Sequence, residues 1–135
     1  MSANPVFIGT VNNQGTEFDN ADGTTALSVW TAGASGGVLE ALQATNLSAN
    51  PYALIVYFRK GGVNYHMQQV TIPANAGSDA ATLPVNLLDP AVLPFVNAEP
   101  NRTILFAASE GIYIAMTGAL AGPDIVHVVA LGGDY

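Results

Sequence analysis

Tyr52-Ala53-Leu54-Ile55-Val56-Tyr57-Phe58-Arg59 is followed by Lys60-Gly61-Gly62, and then by Val63-Asn64-Tyr65-His66-Met67-Gln68-Gln69-Val70-Thr71-Ile72. Both long runs are rich in β-branched and aromatic residues, which fit a pleated surface. In the first run, Tyr52, Leu54, Val56 and Phe58 share one face and Ala53, Ile55 and Tyr57 the other. Apolar side chains on both faces predict a central strand covered on both sides. In the second run, Val63, Tyr65 and Met67 alternate with Asn64, His66 and Gln68. The glycine pair between the runs suits the positive φ angles of a two-residue turn. The stretch therefore reads as a β-hairpin.

The same short-period pattern extends outward from the hairpin. Thr25–Thr31, Arg102–Ala107, Gly111–Thr117 and Asp124–Leu131 read as further strands, separated by Gly, Pro, Asn or Asp. Pro5–Val11 reads as a first strand or an extended arm, and Asn12–Thr24, polar and acidic, reads as a loop. The whole segment Met1–Asp22 has two readings: an arm reaching a neighbouring subunit, or an ordinary strand and loop of the same domain. Ala32–Gly37 is a flexible turn. Val38–Asn46 fits either a short helix with Val38, Leu39, Ala41 and Leu42 on one face, or a strand in which Leu39, Ala41, Gln43 and Thr45 alternate. The strand is preferred because strands flank it. Pro73–Ala81 reads as a loop, and Pro84, Pro90 and Pro94 forbid a long helix or central strand in Leu83–Val96. A single helical turn over Asp89–Leu93, with Asp89 as N-cap, fits there. Asn97–Asn101 reads as a turn, and Gly118–Pro123 separates the last two strands. These elements predict an all-β antiparallel sandwich of about eight strands with at most one short helical turn.

At 135 residues the chain is of a length for one domain, 1–135, with a core of its own. Half the residues are hydrophobic and only 10% are charged, against about 25% in an average soluble domain. Two readings follow: surface destined to be covered by a partner, or surface solvated by Asn, Gln, Ser and Thr. The net charge is −7, and Arg59, Lys60 and Arg102 are the only basic side chains. Nucleic-acid binding, which needs clustered Lys and Arg, is therefore not expected, and neither is an anionic membrane surface. With no cysteine, disulfides, thiolate metal sites and a Cys nucleophile are excluded. Met1-Ser2-Ala3-Asn4-Pro5 does not have the form of a secretory leader, and no apolar run approaches a membrane span of about 20 residues. Folding in a cytosol is expected, where the sequons at Asn46 and Asn101 carry no sugar.

Few residues suggest chemistry. Gly33-Ala34-Ser35-Gly36-Gly37 has the G-x-S-x-G form of a nucleophile elbow, and Asp124 and His127 follow in an order that a triad could use. That fold needs alternating strands and helices and a longer chain, so the stretch is read as a turn. Asp19-Asn20-Ala21-Asp22-Gly23 resembles a calcium loop. It lacks the EF-hand spacing, with Ala21 at the third position and Thr24 at the sixth. A looser calcium site and a side-chain-capped turn are the alternatives left. His66 and His127 lie in strands without ligand spacing and read as structural or surface imidazoles. Tyr52, Tyr57, Phe58, Tyr65 and Tyr113 read as packing or interface groups rather than a sugar platform. Trp30 reads as a core residue or an interface anchor. No catalytic, cofactor or metal residue is assigned, and no cofactor is expected.

Several stretches carry a resemblance: Asn20–Thr25, Thr31–Gly37, Ile72–Asp79, Val85-Asn86-Leu87-Leu88 and Ala130-Leu131-Gly132-Gly133-Asp134-Tyr135. Together they resemble a family of small all-β virion proteins of tailed bacteriophages, commonly encoded beside the major capsid protein. Several of these act as head decoration, or cement, proteins. The resemblance implies a jelly-roll-type sandwich on the outer capsid surface, made in the host cytoplasm. It also implies homo-oligomers over capsid symmetry axes, trimers ahead of dimers, with the major capsid protein as partner. Such a protein is not an enzyme. A tail, neck or baseplate component and a carbohydrate-binding sandwich for host attachment are the rival expectations.

Overall fold

The computed structural model describes residues 9–89 and 103–135. Nine strands and one 3-10 turn, Asn20–Asp22, make up its regular structure: β1 (Thr10–Phe18), β2 (Leu27–Thr31), β3 (Gly37–Asn46), β4 (Tyr52–Lys60), β5 (Val63–Ile72), β6 (Val85–Asn86), β7 (Ile104–Phe106), β8 (Gly111–Met116) and β9 (Val126–Asp134). One sheet runs β1-β9-β3, with β6 and β7 sharing the far side of β3, and the other runs β2-β8-β4-β5. All pairings are antiparallel. With β6 and β7 occupying one position, successive strands alternate between sheets except at the β4–β5 hairpin, which is the order of a jelly-roll sandwich.

Between the sheets lies one core that includes Phe18, Trp30, Leu39, Leu42, Leu54, Ile72, Leu87, Ile112, Ile114, Met116, Val126 and Val128, each fully or almost fully buried. The predicted hairpin forms one side of the second sheet. β4 and β5 pair from Lys60–Val63 to Tyr52–Ile72, and Gly61 and Gly62 turn between them with φ of 58° and 79°.

Three β-bulges reset the alternation. Glu40 is the extra residue of β3, between the pairs Leu39–Gly132 and Ala41–Leu131. Leu39 and Leu42, three apart, therefore both point into the core. That spacing mimicked a helix, and it also means Leu39 does not share the face of Ala41, Gln43 and Thr45. Val29 is the extra residue of β2, so Val29 and Trp30 are both buried. Met67 is the extra residue of β5.

Other expectations need correction. Asn12–Thr24 is not a loop: Thr10–Phe18 is a strand paired along its whole length with β9. Residues 10–22 thus belong to the sandwich, and an arm would be confined to residues 1–8, outside the described residues. β4 is interior to its sheet, but only one face meets the core. Ala53, Ile55 and Tyr57 on the other are half-buried. The last strand starts and ends later than expected, running through Gly132 and Gly133. The turn over Asp89–Leu93 lies, beyond Asp89, outside the described residues, as does Asn97–Asn101.

Candidate docking surfaces

The two sheets meet along two open sides, or seams, and these differ. Along the first, β1 of one sheet lies against β2 of the other. Three of the four inward positions of β1, Asn12, Gln14 and Thr16, are polar, and Asn12 and Thr16 bind β2 directly. Asn12 Nδ2 donates to the Thr31 carbonyl at 2.8 Å and to Asp134 Oδ1 at 3.1 Å. Thr16 Oγ1 donates to the Ser28 carbonyl at 3.3 Å, and Trp30 Nε1 donates back to the Asn12 carbonyl at 2.9 Å. Asp134 Oδ1 also accepts from the Gly33 N–H at 3.0 Å. Side chains thus cap the β2 carbonyls that an edge strand would otherwise leave open.

The second seam is bordered by β5. This ten-residue edge strand carries no charged residue. Among the described residues, no hydrogen bond from outside the hairpin reaches the Val63–Thr71 stretch. A row of rings runs from the core to this edge: Trp30 to Phe106 at 5.2 Å, Phe106 to Phe58 at 6.1 Å, and Phe58 to Tyr65 at 6.3 Å between centroids. Tyr65, at its end, is 52% exposed. Phe58, Tyr65, His66 and Met67 line a shallow apolar depression.

The outer face of the β1-β9-β3 sheet is the third surface. Pairing aligns Val11 with Gly133 and Val38, Asn13 with Leu131 and Ala41, Gly15 with Val129 and Gln43, and Glu17 with His127 and Thr45. Val11 is 71% exposed, Leu131 44% and Val129 42%, and Leu105 opposite Val38 is 66% exposed. Gly15 has no side chain to fill its place in the sheet, and a depression forms there beside Val129 and His127. Glu17 and His127, hydrogen-bonded at 3.0 Å, lie at one end of this face.

The residues singled out for chemistry do not converge. Ser35 lies in the turn leading to Gly37, which pairs with Asp134, while His127 pairs with Thr45. Seven residues of strand separate the two ends, about 24 Å. His127 bonds to Glu17 instead. Asp124 accepts from the Tyr52 hydroxyl and, at 2.9 Å, from Asn50 Nδ2. These bonds hold its carboxyl below the usual range, the Tyr52 bond contributing most. The Tyr52 hydroxyl also accepts from the Ala121 N–H at 3.0 Å, so this cluster pins the β8–β9 loop to the start of β4.

Asp19 and Asp22 use their oxygens locally. Asp19 Oδ1 accepts from the Ala21 N–H and Asp22 Oδ2 from the Asp19 N–H, both at 2.9 Å. This is the capping box of the 3-10 turn. Among the described residues, no group of three or more acidic or histidine side chains is placed to hold a metal.

Trp30 is fully buried. Tyr57 and Tyr113 lie on the outer face of the second sheet, where Arg59 stacks 4.6 Å from the centre of the Tyr113 ring. Asn46, the first sequon residue, is also fully buried. Its Nδ2 reaches the carbonyls of Asn50 at 2.7 Å and Pro73 at 3.2 Å, and its Oδ1 accepts from Ser48 Oγ at 2.7 Å. The surfaces themselves, an edge uncapped among the described residues and an apolar sheet face, do not appear in a search for reactive residues. The sequence signal for the edge was the charge-free run Val63–Ile72.

No protein-family model, curated protein or solved structure matches the chain.

Proposed function

We propose that this chain is a non-enzymatic structural protein of a tailed-bacteriophage virion, a decoration protein that binds the outside of the capsid shell and stabilises it. One observation carries the reading: Val11, Leu105, Val129 and Leu131 stand exposed on one sheet face. On a solitary domain such a face would carry Thr, Lys and Glu, and contiguous apolar surface of this kind marks a contact surface. The jelly-roll order and the resemblance of the turn sequences to phage virion proteins support the same reading. The low charge supports it too, because a face with few charges packs against a shell while desolvating few ions.

The mechanism is thermodynamic. A protein that binds the assembled shell more tightly than its separated subunits shifts the equilibrium toward the shell. The rigid double sheet presents the face, and no bond is made or broken. Purified chain added to undecorated capsids should bind at a copy number comparable to that of the capsid protein and raise the temperature at which the shells open. A low copy number confined to isolated tails, or turnover of a small molecule by the purified chain, would overturn the proposal.

A further inference from the structure

The outer edge of β5, unpaired among the described residues, has a pattern of its own. A two-residue turn makes Lys60–Val63 a hydrogen-bonded pair, and bonded and non-bonded pairs alternate from there. Asn64 and His66, opposite Arg59 and Tyr57, therefore direct their N–H and C=O groups away from β4. The bulge at Met67 resets the alternation. Gln69 and Thr71, opposite Ile55 and Ala53, direct theirs outward as well. The side chains of these four lie on the outer face. Those of Val63, Tyr65, Val70 and Ile72 lie on the core side, opposite Lys60, Phe58, Leu54 and Tyr52.

We propose that β5 is a self-complementary edge through which two copies of this chain join their four-stranded sheets into one, about a two-fold axis between Met67 and Gln68. This axis sets Asn64 opposite Thr71 and His66 opposite Gln69 of the second copy, so all four outward-facing residues meet outward-facing partners. It sets Val63 against Ile72 and Tyr65 against Val70 of the second copy, apolar against apolar on the core side. The bulge is what permits this. In an unbulged strand of ten residues, the same axis would set every core-facing residue against an outward-facing one.

The self-complementary register favours a second copy over a foreign strand, and charge does not oppose it. Each copy carries −7 overall and repels its like, yet Val63–Ile72 holds no charge. Pairing about this axis therefore sets no like charges opposite each other along the strand. The other edge of the same sheet, β2, has five residues and its Ser28 and Thr31 carbonyls are already engaged. This inference does not depend on the virion reading, since the two copies pair in solution with no capsid present.

Sedimentation of the full chain tests it. The wild type should run as a dimer that dissociates on dilution. His66→Glu with Gln69→Glu sets like charges opposite each other twice across the axis, at exposed positions, and should weaken association about tenfold or more. An equal mixture with the His66→Lys, Gln69→Lys variant should restore it. Circular dichroism checks that each variant folds. Spin labels provide a readout free of charge changes: label sites at Gln69→Cys should place their Cα atoms roughly 11 Å apart across the dimer, and at Thr71→Cys roughly 24 Å. A wild type that stays monomeric at high micromolar concentration, a closed trimer, undiminished association of the Glu variant, or label distances in the reverse order would each overturn the proposal.

Discussion

The two seams of this sandwich solve the same problem differently. Where β1 meets β2, the outward carbonyls of a short strand are capped by Asn12 and Thr16, and the indole of Trp30 ties back to β1. Where β5 ends the same sheet, a strand twice as long has outward groups that no described residue outside the hairpin binds along Val63–Thr71. Edge strands are ordinarily protected by charge, proline, cover or shortness. Among the described residues, β5 has only its bulge, and the bulge makes it fit a copy of itself. One seam is completed within the chain and the other by assembly, so stability should concentrate at the first and association at the second.

The largest break of that contrast comes from the two ends of the aromatic row. Trp30→Ala at the closed seam should cost about 3–5 kcal/mol in denaturant unfolding, because a fully buried ring and its hydrogen bond are lost. Tyr65→Ala at the other end should change the monomer's stability by no more than about 0.5 kcal/mol, while weakening association. Next is Gly132→Ala, where an added Cβ would lie 2.4 Å from the Val38 carbonyl and 3.1 Å from the Trp30 ring. It should destabilise by about 1–3 kcal/mol through overpacking. Asn12→Ala, which uncaps the Thr31 carbonyl, should cost about 1–2 kcal/mol. Gln69→Ala, a backbone-sparing change at the open edge, should be near neutral in the same measurement.

Acid produces a small effect through Glu110, just before the start of β8. Glu110 accepts from the Ala107 N–H at 2.8 Å and pairs with Lys60 at 3.2 Å. The backbone bond is the main reason its carboxyl lies below the ordinary 4.5, with Lys60 adding to the shift. A carboxyl lowered on folding contributes stability above its ordinary value and loses it as pH falls through the folded value. Stability should therefore be flat near neutrality and decline below pH 4.5. Glu110→Gln should make that decline shallower.

Legibility in the sequence followed the chemistry of the inward positions. The β4–β5 hairpin was readable because Leu54, Val56 and Phe58 alternate and two glycines close the turn. β1 was not, because Asn12, Gln14 and Thr16 occupy inward positions that a hydrophobic pattern assigns to solvent. Asn12 and Thr16 bond to backbone across the seam and Gln14 to Asn12, so polarity is what these positions require. Leu39 and Leu42 looked helical because the bulge at Glu40 shifts the period by one. Gly132 and Gly133 read as the end of a strand, yet Gly132 continues β9 where a side chain would strike β3 and Trp30.

The docking surfaces were less legible still. Alternation is the same in an edge strand and an interior one, and the bulge at Met67 that makes β5 self-complementary leaves no mark in composition. Only the missing charge in Val63–Ile72 pointed there.

Hydrogen exchange of individual backbone amides, followed as a function of protein concentration, tests the difference between the seams most directly. The amides of Asn64, His66, Gln69 and Thr71 should exchange rapidly in dilute protein and become protected together as concentration rises, while those buried under the β1–β2 seam stay protected throughout. Rapid exchange of the four β5 amides at every concentration would contradict the account.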